Sequence, residues 1–441
     1  MKRYSAYKDS KTEYIGEIPN HWDTIRTRFV FDVVSGNGFP DELQGRQEGE
    51  LPFYKCSDIN TSGIYIDSAN NYVDMSDVRI NKWNIVPRNS ILLAKIGEAL
   101  KKNHRKISDC DCLVDNNMMA IIPDNGSAGL KYYYYLMCLI RMEWCCNPGA
   151  VPSVDTSKFR SFFIPKCSDE EQEQIGKFLD FKTVQIDGLI AKKEHMIELL
   201  KEERSAIINK AVTKGIDPHV GVKDSGVEWL GKVSRPWVIK KIKYNASVKF
   251  SSVNKKTEEG EVLVRLCNYV NVYYNDIISP ELDFMEASAT SEEIQNFQLR
   301  IGDVLVTKDS EDWMDIAIPA YVASELPNLI CGYHLALIRP FSNLMNGKFL
   351  FYLLYANCIN YQFKIEASGV TRYGLSNYAL SNALIPIPSL KEQKDIAIFL
   401  DQKTEQIDLQ IVREQKSIDL LKEFRTALIS EVVTGKIDVR G

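Results

Sequence analysis

"EQEQIGKFLDFKTVQIDGLIAKKEHMIELLKEERSAIINKAVTKGID", residues 171–217, recurs without a gap as "EQKDIAIFLDQKTEQIDLQIVREQKSIDLLKEFRTALISEVVTGKID", residues 392–438, with about half the positions identical. Internal repetition of this closeness marks one structural unit used twice. Apolar residues recur at helical spacing in both copies: Ile175, Leu179, Ile186, Leu189, Ile197, Leu200 and Ile207, then Ile396, Leu400, Ile407, Ile411, Ile418, Leu421 and Leu428. Glu and Lys fill the other faces. A helix of about 40 residues is on the order of 60 Å long, more than one ordinary domain covers. A narrow apolar seam of that length is buried most simply against its own repeat, so the pattern predicts two long antiparallel helices in a coiled coil. A solvated face on two core helices is the alternative.

The region before each helix has a different texture. "GIYID", "SILLAKIG" and "NNMMAIIP" read as strands ahead of the helical "LKYYYYLMCLI", and "EVLVRLCNYV", "GDVLVTKDS", "YHLALIRP" and "KFLFYLLYA" follow the same order. Each region then passes a glycine-containing turn, "NPGAVPSVD" or "EASGVTRYGLS", and ends in a short strand, "FFIPK" or "LIPIPS". The tyrosines 132–135 read as helix core rather than a base-stacking platform. A second peptide is also doubled: "YKDSKTEYIG" at 7–16 and "VKDSGVEWLG" at 222–231. No copy follows the second helix, so the N-terminal segment is expected to pack against the end of that helix and close a pseudo-twofold repeat; a pair of solvated linkers is the alternative.

These signals give an α/β (α+β) fold class and six expected segments. They are 1–22, an N-terminal segment docking on the second helix; 23–168, a first globular domain; 169–214, the first long helix; 215–389, a second globular domain; 390–434, the second long helix; and 435–441, a tail.

Composition narrows the function. The chain has 441 residues, a formal net charge of −5 and no stretch apolar enough for a membrane span or a secretory signal, which points to the cytoplasm and away from a simple basic coat on nucleic acid. Ten cysteines without Cys-x-x-Cys spacing and five scattered histidines predict reduced thiols and no metal site. No phosphate-binding Gly-x-x-x-x-Gly-Lys-Ser/Thr loop is present: the Gly-Lys pairs continue into Phe178, Val233, Phe349 and Ile437. "SGNGFP" lacks the third glycine of a dinucleotide fingerprint, "NPGA" is a turn rather than a base-methylation motif, and no Gly-x-Ser-x-Gly elbow occurs. The expectation is a chain with no catalytic residues of its own.

The order of "YKDSKTEYIGEIPNHW", "RNSILLAKIGE" and the first Glu-Gln helix, followed by "VKDSGVEWLGKVSRPW", "IGDVLVTKDS", "GVTRYGLS", "LIPIPSLKEQ" and the second, resembles the specificity subunit of type I restriction-modification enzymes along essentially the whole chain. The resemblance implies two target-recognition domains, each reading one half of a split sequence in double-stranded DNA, with the helices setting the unread spacer. It implies modification (methyltransferase) subunits and ATP-dependent translocating restriction subunits as partners. S-adenosylmethionine, ATP and Mg belong to those partners, and this chain binds no cofactor. A coiled-coil scaffold with two protein-binding heads is the alternative reading.

Candidate DNA contacts are Lys95 at the end of a strand and Lys101, Lys102, Arg105 and Lys106, expected together in one loop, where an ordinary solvated charge run is the alternative. In the second region the matched loop is acidic, leaving Lys308. Thr371, Arg372 and Tyr373 sit on a glycine-flanked turn from which an arginine reads guanine or binds phosphate.

Overall fold

The computed structural model describes residues 2–61, 63–124, 129–147 and 149–440. The chain ends, and Pro148 of the "NPGAVPSVD" turn, lie outside the described residues. The chain divides into two compact units, Met1–Lys193 with Lys416–Gly441, and Glu194–Gln415. The division runs through the long helices, Asp169–Lys214 and Leu390–Val433. Each half-helix is part of the core of the unit it enters.

Both helices start on a serine and stop on a glycine. The Ser168 hydroxyl accepts from Glu171 N–H and the Ser389 hydroxyl from Glu392 N–H, each at 3.3 Å, satisfying donors that the first turn leaves open. At the other end Gly215 and Gly435 adopt φ of +79° and +74°, a conformation that ends a helix at low cost only for glycine.

In the first unit a four-stranded antiparallel sheet runs in the order Phe31–Ser35, Met118–Pro123, Ile91–Ala94, Arg105–Ile107. Leu130–Leu139 is the expected helix, and its four tyrosines are buried. Tyr132 and Tyr135 reach out of it to anchor neighbours: Tyr132 donates to the Pro165 carbonyl at 3.0 Å and Tyr135 to Asp180 at 2.8 Å. "GIYID" is not a strand. It makes a single bridge, Tyr65 to Ile107.

In the second unit the sheet has five strands, ordered Ala246–Phe250, Leu335–Pro340, Val304–Thr307, Pro319–Val322, Ile277–Ile278. A three-stranded sheet, Met285–Ala289, Val262–Cys267, Leu329–Cys331, closes a second core. Helix Gly347–Tyr355 follows, and its Tyr352 donates to Asp401 at 2.6 Å, the position Asp180 holds in the first helix copy.

Of the expected seam, Ile175, Leu179, Ile186, Ile197, Leu200, Ile396, Leu400, Ile407 and Ile418 are buried, and Leu421 is half-buried. Leu189 is corrected: it is exposed, and Ile190, one full turn beyond Ile186, takes the buried position. Ile396 and Leu400 also join the main apolar core of the second unit, together with Phe349 and Leu380 and with Ile208, Ala211 and Val212 from the end of the first helix. These two positions therefore pack in a globular core.

The doubled "KDS" peptide has a local explanation. Asp9 and Asp224 accept from the N–H two residues on, each at 2.8 Å, and Ser10 and Ser225 N–H donate to the Gly16 and Gly231 carbonyls, each at 2.9 Å. Such side-chain-to-backbone bonds fold both copies into the same tight hairpin, Tyr7–Asp9 with Glu17–Pro19 and Val222–Asp224 with Lys232–Ser234. In the first unit this segment meets the end of the second helix: Lys2 bridges Asp438, and the Tyr7 hydroxyl donates to the Lys436 carbonyl at 3.1 Å. Buried Glu171 accepts from the Tyr4 hydroxyl at 2.6 Å and from Trp22 Nε1 at 3.0 Å. Glu171→Ala would leave two buried donors unpaired, at about 1–3 kcal/mol for each. Denaturant melts should show this loss for Glu171→Ala and a smaller one for Glu171→Gln, which keeps an acceptor; equal melts for wild type and alanine would remove Glu171 as the anchor.

Candidate nucleic-acid interface

In the second unit the central strand Val304–Thr307 runs into Lys308 and then into Asp309–Ser310, which pairs antiparallel with Tyr373–Gly374. This brings together two segments far apart in sequence. The turn between Ser368 and Gly374 is closed by paired bonds of 3.1 and 2.9 Å, and a Cβ on Gly369 would stand 1.9 Å from the Arg372 carbonyl oxygen, so the turn requires glycine there. Val370, Thr371 and Arg372 are exposed at its tip and Tyr373 is half-buried.

Asp309 organises this site. Its Oδ1 accepts from Arg372 Nε at 2.9 Å and Nη2 at 2.5 Å, and its Oδ2 lies 2.9 Å from His334 Nδ1. The carboxylate is largely buried, whereas the guanidinium side chain is 48% exposed, so Arg372 is oriented from behind and still open to solvent. An arginine has more donors than one carboxylate oxygen accepts, which leaves capacity for a ligand. Lys308 Nζ donates to the Ser251 carbonyl at 3.2 Å and stands 4.2 Å from the Tyr333 ring centre. Burial lowers its pKa and Asp309 opposes that shift. Nearby, the Tyr269 and Tyr273 rings stack with centres 5.3 Å apart, and a bond to Asp315, with burial, pushes the Tyr273 phenol up to about 12.

In the first unit the structure separates the expected residues. Lys95 holds the place of Lys308: its carbonyl accepts from Val154 N–H at 3.0 Å, as the Lys308 carbonyl accepts from Leu375 N–H at 2.8 Å. Both lysines therefore stand at the end of the central strand beside the glycine-containing turn, an equivalence hidden in the sequence because the loops beyond differ. Lys101, Lys102, Arg105 and Lys106 do not share a loop. Lys101 closes the short helix Glu98–Lys101 and pairs with Glu98 at 2.6 Å; Lys102 follows, exposed. Arg105 and Lys106 lie in the edge strand and are buried, at 4% and 2% exposure, with Lys106 Nζ donating to the Gly63 carbonyl at 2.6 Å. Neither forms part of an exposed basic loop, because their backbones complete the sheet opposite Leu93 and Leu92. Sequence reading missed Asp309 and His334; the acidic "KDSED" run marked Asp309, and nothing marked His334.

Among the described residues no group of His, Cys, Asp and Glu is placed to hold a metal ion, and no helix is long and apolar enough to cross a membrane. Each of the two α/β units thus sets a lysine at the end of its central strand beside a glycine-containing turn. The type I restriction modification DNA specificity domain matches residues 19–198 and again 243–419. The chain belongs to that family and, as a type I specificity subunit, is a non-catalytic DNA-recognition subunit. It is 23% identical to the type I restriction enzyme MjaVIII specificity subunit of Methanocaldococcus jannaschii over 96% of this chain and 94% of that one. The fold is similar to a chain solved in work on complex assembly and conformational transition of the type I R-M system, with TM-score 0.70, 13% identity and coverage of 95% and 99%. It is also similar to the HsdS subunit from Thermoanaerobacter tengcongensis, with TM-score 0.54, 15% identity and coverage of 95% and 98%.

Proposed function

We propose that each unit reads one half of a bipartite sequence in double-stranded DNA and that the long helices set the spacer and recruit modification subunits, and through them restriction subunits. The observation that carries this reading is the double match of one DNA specificity domain within a single chain. On this reading S-adenosylmethionine, ATP and Mg are bound by the partners.

The ion pairs support an antiparallel coiled coil with a pseudo-twofold relation between the copies. Asp187 and Asp408 hold the same position in the two helix copies, as do Arg204 and Arg425. Within the first unit Asp187 pairs with Arg425 at 2.9 Å, and within the second Asp408 pairs with Arg204 at 3.1 Å, so each aspartate is answered by the arginine of the other copy. A strut on the order of 60 Å is a little under two turns of B-DNA at about 34 Å per turn, which suits two half-sites on one duplex. Phosphate neutralisation dominates such affinities, and a chain of net charge −5 shares that task with its partners. In the second unit Arg372 is proposed to read a base, with Lys308 and Thr371 beside it; in the first, Lys95 takes the part of Lys308.

Mapping methylated adenines in cells with and without this chain tests the reading. A split motif that appears only with the chain is expected. A single undivided motif, or methylation that does not depend on the chain, would sink it.

A further inference from the structure

Beside Arg425 the first unit contains a cleft of about 410 Å³ whose lining includes Lys102, His104, Arg105, Lys106 and Tyr134. No aspartate or glutamate is among its described lining residues. Arg105 is the residue that needs explaining. Its Nη1 donates to the His104 carbonyl at 2.8 Å and its Nη2 to Asn103 Oδ1 at 2.6 Å, but Nε has no partner, and among the described residues no carboxylate pairs with it. Burial holds its pKa down to about 10, so it is still charged at neutral pH. A buried cation without a counter-charge is costly.

The second unit shows that the fold does not demand these cations. Its central strand Val304–Thr307 pairs with Pro319–Val322 as Ile91–Ala94 pairs with Arg105–Ile107. Opposite Val306 and Leu305 stand Pro319 and Ala320, where the first unit sets Arg105 and Lys106 opposite Leu93 and Leu92. The cleft beside Arg204, the repeat partner of Arg425, is lined by Asp276, Asp401, Glu405 and Asp408, and Arg204 donates to Asp276 at 2.8 Å. One scaffold thus carries a cleft rich in carboxylates in one unit and a cationic one in the other.

We propose that the cleft of the first unit is a binding site for a phosphoryl group, held by Arg105 and Lys102, with Arg425, already paired with Asp187, in its wall. Guanidinium and ammonium donors converging on one space match phosphate oxygens, and a surplus of more than one positive charge favours the dianion of a phosphate monoester over a single carboxylate. The volume admits a nucleotide-sized ligand. The inference stands on this cleft alone and does not depend on how DNA is read.

Thermal melts and calorimetric titrations of the full chain with sodium phosphate, and with sodium chloride at matched ionic strength, test it. A saturable rise in melting temperature is expected with phosphate and not with chloride. Lys102→Ala, at an exposed position that leaves the fold intact, should weaken phosphate binding about tenfold or more, the scale of a lost charged hydrogen bond. Arg105→Met should abolish it, and its own melt reports whether it folds. Adenosine monophosphate binding that a duplex does not displace identifies a free monoester as the ligand; displacement by the duplex identifies the DNA backbone. No saturable response to phosphate, adenosine monophosphate or duplex, or a response undiminished by Lys102→Ala, overturns the proposal.

Discussion

Ile407→Lys is expected to destabilise the second unit by several kcal/mol, and Ile186→Lys to do the same in the first. Both side chains are buried, at 7% and 5% exposure, beside the aspartates that pair with arginine. The substitution forfeits about 1.5–3 kcal/mol of apolar burial and places an ammonium where its solvation is lost. Part of that is recovered if the lysine stem lies along the helix and carries its head to solvent. For a unit of this size each kcal/mol lowers the melting temperature by about 2–4 °C, so a fall on the order of 10 °C is expected in calorimetry. Ile407→Val, which keeps shape and polarity, should cost only about 0.5–1.5 kcal/mol. Unchanged melting in both lysine variants would mean that these positions do not form a seam.

Arg372→Ala is expected to weaken binding to the specific duplex by about 1–3 kcal/mol and to leave binding to a scrambled duplex nearly unchanged, because a base contact carries sequence preference and a phosphate contact does not. Asp309→Asn separates orientation from contact. It keeps the size of the side chain but removes the charge that holds Arg372 and faces His334, so a smaller loss, confined to the specific duplex, is expected. Both measurements need one fixed salt concentration, since phosphate contacts shift with salt. Equal losses on specific and scrambled DNA would reassign Arg372 to the backbone. No loss on either would place the interface elsewhere.

The contrast between Arg372 and Arg105 shows what a single sequence hides. Both read as exposed cations, Arg105 on a loop after a strand and Arg372 on a glycine-flanked turn. Whether an arginine faces solvent or completes a sheet depends on which distant strand pairs with it, and Arg105 finds Leu93 across the sheet edge. Likewise "GIYID" has the composition of a strand, but a strand needs a partner along its length and this one has a partner at a single residue. Leu189 lost its place to Ile190 because a helix buries a narrow face, and one residue turns a side chain about 100° away from it.

The sequence by itself determined what depends on local order and repetition. Helical spacing with serine and glycine at the ends produced the two long helices, apolar runs produced the central strands, the "KDS" turns produced the paired hairpins, and the doubled order of motifs carried the family. Only the tertiary structure decided the site. Asp309 meets Arg372 because two strands pair across a long separation, Lys95 and Lys308 become equivalent through the sheets rather than through their loops, and Arg105 and Arg425 share a cleft because the second helix returns to the first unit. The physical reason is the same in each case: helices and turns are fixed by contacts a few residues apart, whereas burial, charge pairing and the side chains that face one space are set by contacts between segments that the chain alone does not place side by side.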